Sequence, residues 1–222
     1  ISPSLSFSRI VEMNPLGIIL SGGPETVTSK KAPKVDTDLF HSGIPILGIC
    51  YGMQTIAKEL GGKVVTSDIR EFGHASISLS NNSLLFKGVN LNESLLDVWM
   101  SHGDKVTNLP KGFEVISSSI NCSIAGFQNI NQNIYGLQFH PEVTHTNQGE
   151  KILSNFLFNI CDCSKNWSTS DIIDSMISNV QLQVKDEKVL LGLSGGVDSS
   201  VVAMLLHKSI NKNLICIFVD HG

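Results

Sequence analysis

The chain has 222 residues, of which 41% are hydrophobic and 16% are charged, and its formal net charge is −4. This composition allows a sizeable core and argues against a disordered protein. Because no stripe of lysine and arginine stands out and no apolar run approaches the length of a membrane span, we expect neither nucleic acid nor a membrane as a partner.

Short apolar runs alternate with helical patterns along the chain, which predicts an α/β fold. Residues 16–20 and 45–49 are predicted to be buried strands, and the second strand leads through Cys50 into a helix that ends at a pair of glycines. From residue 64 to about 139 the helical period disappears, and alternating stretches such as 74–79 predict antiparallel or edge strands.

The rest of the chain predicts a helix, a linker and a second domain. Residues 147–160 carry a helical apolar face that consists of Ile152, Leu153, Phe156, Leu157 and Ile160. The polar residues 163–170 are predicted to link a first domain, 1–162, to a second domain, 171–222. The second domain is predicted to contain a helix from Ser170-Asp171, a buried strand at 189–193, a helix at about 199–210 and a strand at 214–219, which together include one β-α-β unit.

The five cysteines are Cys50, Cys122, Cys161, Cys163 and Cys216. Their odd number favours reduced thiols and a cytoplasmic location. No second pair accompanies Cys161 and Cys163, so these two residues are not expected to form a zinc site. The thiol most suited to chemistry is Cys50.

Gly48-Ile49-Cys50-Tyr51-Gly52 places a nucleophile between a predicted strand and a predicted helix. A sharp turn there would lift Cys50 clear of the sheet, and the flanking glycines would let neighbouring backbone pass close by. The start of the helix would favour a thiolate and could hold an oxyanion through its amide groups. The alternative is a small core cysteine at the end of a strand, and this pentapeptide alone does not decide between the two.

A nucleophilic thiol needs a base, and the base needs a group that fixes its tautomer. His140 and Glu142 are two residues apart at the end of a predicted strand, so they project to the same side of an extended segment. The carboxylate of Glu142 could hold one imidazole nitrogen while the other faces Cys50. The alternatives are a surface His-Pro turn without a catalytic role, and His102 as the base with Asp104 nearby.

Two segments together, Gly-Ile-Cys-Tyr-Gly-Met-Gln at 48–54 and Gln-Phe-His-Pro-Glu at 138–142, resemble the class I (triad) glutamine amidotransferases. The resemblance implies a flavodoxin-like open sheet, with Cys50 as nucleophile, His140 as base and Glu142 as its orienting group. The positions implied to hold glutamine or the oxyanion are Gly22, Gly23, Tyr51, Gln54, Ser101, His102, Gly103 and Asp104. Members of this family begin with a strand and a helix upstream of anything present here, so we expect the chain to be a fragment of a longer enzyme.

Residues 194–200, Ser-Gly-Gly-Val-Asp-Ser-Ser, follow a predicted strand and open a predicted helix. Backbone amides in a glycine turn at a helix start form an anion site, to which the serine hydroxyls could add donors. Asp198 could reach a magnesium ion carried by phosphates. The loop has no lysine, so it is neither a Walker A loop nor a dinucleotide-binding turn. A tight connection without a ligand is the alternative interpretation.

The whole heptad resembles the pyrophosphate loop of N-type ATP pyrophosphatases, which implies the start of an adenine nucleotide alpha hydrolase-like parallel α/β domain. The implied ATP contacts are Ser194, Gly195, Gly196, Val197, Asp198, Ser199, Ser200 and Asp220, with Mg²⁺ beside Asp198. A triad amidotransferase followed by this loop is similar to the glutamine-hydrolysing GMP synthetases, a family of ligases. That similarity implies glutamine, ATP and xanthosine monophosphate (XMP) as substrates and amination of XMP to GMP with release of AMP and pyrophosphate. It also implies a full-length enzyme that is a cytoplasmic homodimer.

Two other functions stay open at this point. The chain could be the glutaminase component of another biosynthetic synthase, such as those that make anthranilate, CTP or carbamoyl phosphate. The loop at 194–200 argues against this, because the partners of those glutaminases do not carry it. The chain could also be a non-catalytic nucleotide-binding or regulatory module, against which the intact Cys50, His140 and Glu142 argue.

Overall fold

The computed structural model describes residues 2–29, 31–80, 82–165 and 169–218, and leaves the side chains of residues 68–70, 169 and 170 undescribed. The chain divides into two compact units, Ile1–Cys163 and Ser164–Gly222. Among the described residues, no helix is both long enough and apolar enough to cross a bilayer.

A seven-stranded mixed sheet organises the first unit. In chain order its strands are β1 (Ile18–Leu20), β2 (Ile46–Ile49), β3 (Lys63–Leu79), β4 (Leu96–Asn108), β5 (Glu114–Ser118), β6 (Gly126–Asn129) and β7 (Ile134–Leu137). Their order in the sheet is β1-β2-β7-β6-β5-β3-β4. The pairs β1–β2 and β2–β7 are parallel, and every other pair in this sheet is antiparallel. The predicted α/β fold and the predicted antiparallel strands are therefore confirmed.

The side chains of the central strands alternate between the two faces of the sheet, and each face packs against its own buried apolar cluster. In β2, Ile46 joins one buried cluster, while Leu47 and Ile49 join the other. The first cluster contains Met53, Ile56 and Ala57 of helix α2 (Tyr51–Glu59), which follows α1 (Phe7–Glu12) in the chain. The second contains Ile152 of α3 (Gly149–Asn155) and Phe156 of the π turn Phe156–Ile160. The predicted helix after Cys50 is thus confirmed.

Helix α2 lies directly on the sheet because two paired glycines leave room for it. Gly48 of β2 and Gly136 of β7 are register partners. A Cβ on Gly48 would lie 2.6 Å from the Met53 amide nitrogen, and one on Gly136 would lie 2.8 Å from Met53 Cγ. Only glycine at these two positions allows this approach. The approach in turn fixes how close to the sheet α2 begins.

Two details of the first unit differ from the sequence-based expectation. The strand at 16–20 was predicted to be buried, but Leu16 is 57% exposed and Ile19 is 44% exposed. Among the described strands, β1 is at the end of the sheet and pairs only with β2, so one of its sides stays open. Leu157 was predicted on the buried helix face but is 37% exposed, because the wider π turn changes the angular spacing of side chains after Asn155.

The second unit contains α4 (Thr169–Val184), β8 (Val189–Leu193), α5 (Val197–Ile210) and β9 (Leu214–Phe218). β8 and β9 pair in parallel, which confirms the predicted β-α-β unit. The prediction that β8 is buried is wrong, because its side chains alternate between half-buried and exposed, with Leu190 66% exposed. This alternation is expected of a sheet with only one face covered, as in the described part of this unit.

Candidate active site

Cys50 occupies the turn between β2 and α2 and has a strained backbone. Its φ of 51° and ψ of −106° lie outside the regions that residues with a Cβ favour. The turn is held by hydrogen bonds at both sides, since the Cys50 amide donates to Leu137 O at 2.7 Å and Cys50 O accepts from the Gln54 amide at 3.1 Å. The first amides of α2, from Tyr51 onward, have no acceptor within the helix and lie next to the sulfur. The expected nucleophile elbow is therefore present.

His140 and Glu142 follow β7 and are fixed to their neighbours through the backbone. The His140 amide donates to Trp99 O at 3.0 Å, and the His140 carbonyl accepts from Oγ1 of Thr146 at 2.6 Å. Nδ1 of His140 donates to Oε1 of Glu142 at 2.7 Å. Glu142 therefore fixes the tautomer, so that Nε2 is the nitrogen available on the other side of the ring.

The pKa of His140 indicates an interaction with Cys50. The pKa of His140 is raised to about 10, first by hydrogen bonding with Cys50 and then by the hydrogen bond with Glu142. Nε2 of His140 is buried and, among the described residues, has no partner in full hydrogen-bond geometry, so it is free to take a proton from the nearby sulfur. Burial alone would raise the pKa of Glu142, but the hydrogen bond from His140, a hydrogen bond with the Glu142 backbone and the charge of His140 together outweigh it and lower that pKa.

A cavity of about 580 Å³ opens over Cys50 in the first unit. Its volume lies within the range of roughly 300–1,000 Å³ that is usual for small-molecule sites. The predicted glutamine and oxyanion positions that line it are Gly23, Tyr51, Gln54, Ser101, His102, Gly103 and Asp104. Gly22 does not line this cavity, but it lies close to the nucleophile, where an added Cβ would be 2.9 Å from Cε1 of His140 and 3.6 Å from Cβ of Cys50.

The structure disfavours His102 as the alternative base. Its Nδ1 donates to Asp104 O at 3.0 Å, and its Nε2 lies 3.1 Å from Oε2 of Glu71. Burial lowers the pKa of His102, and Glu71 opposes that shift only in part. The carboxylate of Asp104 accepts a hydrogen bond from Thr26 and does not orient the ring. Nδ1 of His102 is therefore engaged away from Cys50, and Nε2 faces Glu71, although among the described residues neither this Nε2 nor Oε2 of Glu71 has a partner in full hydrogen-bond geometry.

Sequence reasoning missed three polar residues around the nucleophile. Gln138 is fully buried and its Nε2 lies 3.8 Å from Cys50 Sγ. Glu71 and Thr26 contact His102 and Asp104. Gln138 stands two residues before His140 and four before Glu142, and this spacing, read as the end of a strand, could have identified it, although β7 ends at Leu137. Glu71 could not be found in this way, because its contact depends on the register between β3 and β4.

The loop at 194–200 in the second unit forms a helix start with a glycine turn. Gly195 has a φ of +79° and Gly196 is the N-cap of α5. The hydroxyls of Ser199 and Ser200 both donate to Gly196 O, at 3.0 and 2.9 Å. The first amides of α5 remain as donors toward an anion. Asp198 is exposed in the first turn, whereas Asp220 lies outside the described residues.

The described residues that group as potential metal ligands are Glu71, His102 and Cys122, whose ligand atoms all lie within 4.8 Å of one another. Burial raises the pKa of the Cys122 thiol to about 11, and the thiol donates to Ile124 O at 3.3 Å. A thiol with a raised pKa gives up its proton to a metal ion less readily. Cys161 is buried, and its pKa is raised to about 12 by burial and then by Cys163.

Comparison with families of known proteins assigns each unit to a family model. Residues 2–160 match the family model described as glutamine amidotransferase class-I. Residues 168–221 match the family model described as NAD synthase.

Similar proteins carry names that agree with these matches. GMP synthases (glutamine-hydrolysing) of Haemophilus influenzae strain PittGG and of Mannheimia succiniciproducens are 53% and 54% identical to the chain over 218 residues. Each match covers 96% of this chain but 42% of the relative, so the chain spans less than half the length of these relatives. A solved structure from Thermoplasma acidophilum, of a protein proposed to be one subunit of a GMP synthase, is 36% identical, with a TM-score of 0.56; the match covers 66% of this chain and 73% of that one.

Proposed function

Because the chain belongs to the class-I glutamine amidotransferase family, we propose that its first unit hydrolyses glutamine to glutamate and ammonia at Cys50. The observation that carries this proposal is the arrangement around His140. Its Nδ1 is held by Glu142, its pKa is raised by Cys50, and the sulfur lies at a cavity that suits a small molecule.

In this mechanism, His140 takes the proton of the Cys50 thiol and the thiolate attacks the carboxamide carbon of glutamine. The amide of Tyr51 and an amide of the Gly22-Gly23 turn hold the oxyanion. The protonated His140 then gives its proton to the departing ammonia, and water hydrolyses the thioester to glutamate. Gln54 and residues 101–104 hold the substrate, with His102 acting through its backbone because its Nδ1 donates to Asp104 O and its Nε2 faces Glu71.

We also propose that the second unit begins an ATP-binding domain, and that the complete protein is a ligase that aminates XMP to GMP with the ammonia from the first unit. The match of residues 168–221 and the names of the relatives support this proposal. The amides and serines of residues 194–200 would hold the pyrophosphate of ATP. The exposed carboxylate of Asp198 fits Mg²⁺, which proteins usually bind through one or two carboxylates together with substrate phosphates. When bound, the ion neutralises charge on those phosphates.

By the same similarity we propose that the complete protein is a cytoplasmic homodimer. The five cysteines are free thiols, which suits a reducing compartment. Asp220 remains a proposed ATP contact.

Incubation of the 222-residue chain with a glutamine-like electrophile, followed by intact mass and peptide mapping, tests the proposed glutaminase site. We expect one adduct, on Cys50, and none on a Cys50→Ala variant. Glutamate release from glutamine should be lost in the same variant. An adduct on another cysteine, or equal glutamate release by the variant, would contradict the proposal.

Binding of pyrophosphate or Mg-ATP to the same chain tests the second part. We expect binding that weakens at least about tenfold in an Asn replacement of Asp198 when Mg-ATP is the ligand, because a carboxylate contact to the ion is lost. Pyrophosphate without metal should bind both proteins equally. Equal binding of Mg-ATP to both proteins would remove Asp198 from the site.

A further inference from the structure

A chain of buried polar contacts runs from the interior of the first unit to the nucleophile. It starts at Glu71, passes through His102 and the Asp104 carbonyl, and continues through Gln54 and Gln138 to the Cys50 sulfur. The side chains of Gln54, His102 and Gln138 belong to residues that are 3%, 4% and 0% exposed. Buried polar side chains that form such a connected series hold one another in a defined orientation.

We propose that Gln138 is a positioning residue that donates a hydrogen bond to the sulfur of Cys50, and that Gln54 and the Glu71–His102 pair fix the direction of its amide. This inference rests on the proposed function of Cys50 as a nucleophile. It assigns to Gln138 a role that is separate from those of His140 and Glu142.

The direction of the two amides follows from the carbonyl of Asp104. A carbonyl only accepts, so the group of Gln54 that lies 2.8 Å from it must be Nε2. The second hydrogen of that Nε2 meets Gln138 at 3.3 Å, and the atom that it meets must therefore be Oε1. With its Oε1 fixed in this way, Gln138 presents Nε2 to Cys50 Sγ at 3.8 Å. A reversed amide at Gln138 would place two donors against each other at Gln54.

The Asp104 carbonyl is itself held in place by His102. Nδ1 of His102 donates to it from another direction, and a carbonyl oxygen has two lone pairs for these two donors. The opposite ring nitrogen lies 3.1 Å from a carboxylate oxygen of Glu71, whose side chain is 11% exposed. Rotation of the His102 ring would break the Nδ1 hydrogen bond and move Nε2 away from Glu71.

The contact from Gln138 matters most when Cys50 is ionised. In the thiol state the sulfur lies 3.5 Å from Ser101 O, to which the S–H can donate. Once the proton has moved to His140, the negatively charged sulfur lies close to the partially negative oxygen of Ser101. That contact is then repulsive. The Nε2 of Gln138, at 3.8 Å from the sulfur, then stabilises the thiolate, and donors to charged acceptors form stronger hydrogen bonds than donors to neutral ones.

The rate of alkylation of Cys50 by iodoacetamide, read by peptide mass and measured from pH 5 to pH 9, tests this role. The reaction needs a thiolate but no glutamine, so it does not depend on glutaminase turnover. We expect Gln138→Met to slow alkylation about tenfold at neutral pH and to move the profile to higher pH, because the thiolate loses a donor. Gln138→Glu should slow it further, since a carboxylate would face the sulfur.

Gln128→Met is the matched control. Gln128 is 1% exposed and its Nε2 donates to Glu114 at 2.7 Å, so it is another buried glutamine whose amide makes a side-chain hydrogen bond, but it is outside this chain of contacts. We expect alkylation of Cys50 in this control to stay within about twofold of the parent rate at equal or lower thermal stability. Equal slowing by both Met variants, or an unchanged profile in the Gln138 variants, would overturn the proposal.

Gln54→Met tests the orienting part and serves as a second variant if the changes at Gln138 prevent folding. With Gln54 removed, the amide of Gln138 can reverse, and we expect alkylation to slow about threefold with the same upward move of the pH profile. An unchanged rate and profile would overturn the orienting role of Gln54. If the chain hydrolyses no glutamine but Gln138→Met still slows alkylation, the proposed function fails while the contact with the sulfur stands.

Discussion

Cys50 has both an unfavourable backbone conformation and a position at the start of a helix. A residue with a Cβ stays at a φ of 51° and a ψ of −106° only when its surroundings enforce it. Here the backbone hydrogen bonds to Leu137 and from Gln54 supply that constraint. Cys50 is buried in one apolar cluster but also lines the cavity, and its strained turn at the cavity argues against the interpretation of Cys50 as an ordinary core cysteine.

Gly22→Ala should slow glutamine hydrolysis more than Gly23→Ala does. A Cβ at residue 22 would lie 2.9 Å from Cε1 of His140 and displace the ring, whereas one at residue 23 would lie 3.8 Å from Cγ of Tyr51, an ordinary contact. Both variants keep the backbone amide, so the comparison isolates the steric effect on His140. We expect kcat to fall at least about tenfold in Gly22→Ala, because small misplacements of catalytic groups are costly. Equal kcat values in the two variants would contradict this geometry.

Glu142→Gln should lower the pKa of His140, which is raised to about 10 in the parent chain. Loss of the carboxylate removes an opposite charge, so we expect a decrease of about one unit or more. The measurement is a titration of the His140 ring protons by NMR. Asp97→Asn, which removes the carboxylate beside the exposed His74, should leave the His140 titration unchanged.

The same pair makes a pH-dependent contribution to stability. The folded pKa of His140 is raised from 6.5, so its contribution is complete below pH 6.5 and is lost as the pH rises toward about 10. The folded pKa of Glu142 is lowered from 4.5, so its contribution is present above pH 4.5 and is lost as the pH falls through the folded value. Urea unfolding should therefore show the largest difference between parent and Glu142→Gln from pH 4.5 to 6.5. A difference in unfolding free energy between the two proteins that grows toward pH 10 would contradict this prediction.

At the scale of elements, the close packing of α2 on the sheet depends on Gly48. Gly48→Ala places a Cβ 2.6 Å from the Met53 amide nitrogen, and that backbone atom moves only with the helix. We expect the free energy of unfolding to fall by about 2 kcal/mol or more, which is usual for overpacking of a core. Urea denaturation is the measurement. Glu59→Ala on the same helix should change the free energy by no more than about 0.5 kcal/mol.

Much of the element pattern could be predicted because it depends on local sequence. β2, α2, β8, α5 and β9 follow from apolar periods and from glycines at their ends. The exposure of β1 and β8 could not be predicted, because a strand's place in a sheet depends on pairing with distant residues. The π turn at Phe156–Ile160 carries no special residue type that would indicate it.

The candidate site was predictable where its reactive residues lie in short sequence motifs. Cys50, His140 and Glu142 were each suggested by local spacing and were joined by the resemblance to a family that the chain does belong to. The contact between Glu71 and His102 was not predictable, because a register shift between β3 and β4 falls between Thr66 and Glu71. Asp104 was expected only as one of the positions that hold glutamine, and the contact of its carbonyl with Gln54 depends on the fold.

At the scale of the whole molecule, the first unit contains a hydrophobic core made of its own residues. Both buried apolar clusters consist of residues between Ile10 and Cys161, with Cys163 packed beside one of them. The cavity over Cys50, the triad and the contacts through Gln54 and Gln138 are all made by residues of this unit. The described side chains that form the proposed glutaminase site thus all come from the first unit.

A chain shortened to residues 1–163 should therefore fold and keep the reactivity of Cys50. We expect its alkylation rate by iodoacetamide to lie within about twofold of that of the 222-residue chain, with a cooperative thermal transition. A chain that ends at residue 148 is the control, because it loses α3 and the following π turn, and with them Ile152 and Phe156, which are 0% and 1% exposed. Removal of two such side chains should cost at least about 5 kcal/mol and abolish folding. If residues 1–163 were as unreactive as residues 1–148, the site would depend on the second unit, and the two proposed activities would be coupled through folding as well as through ammonia.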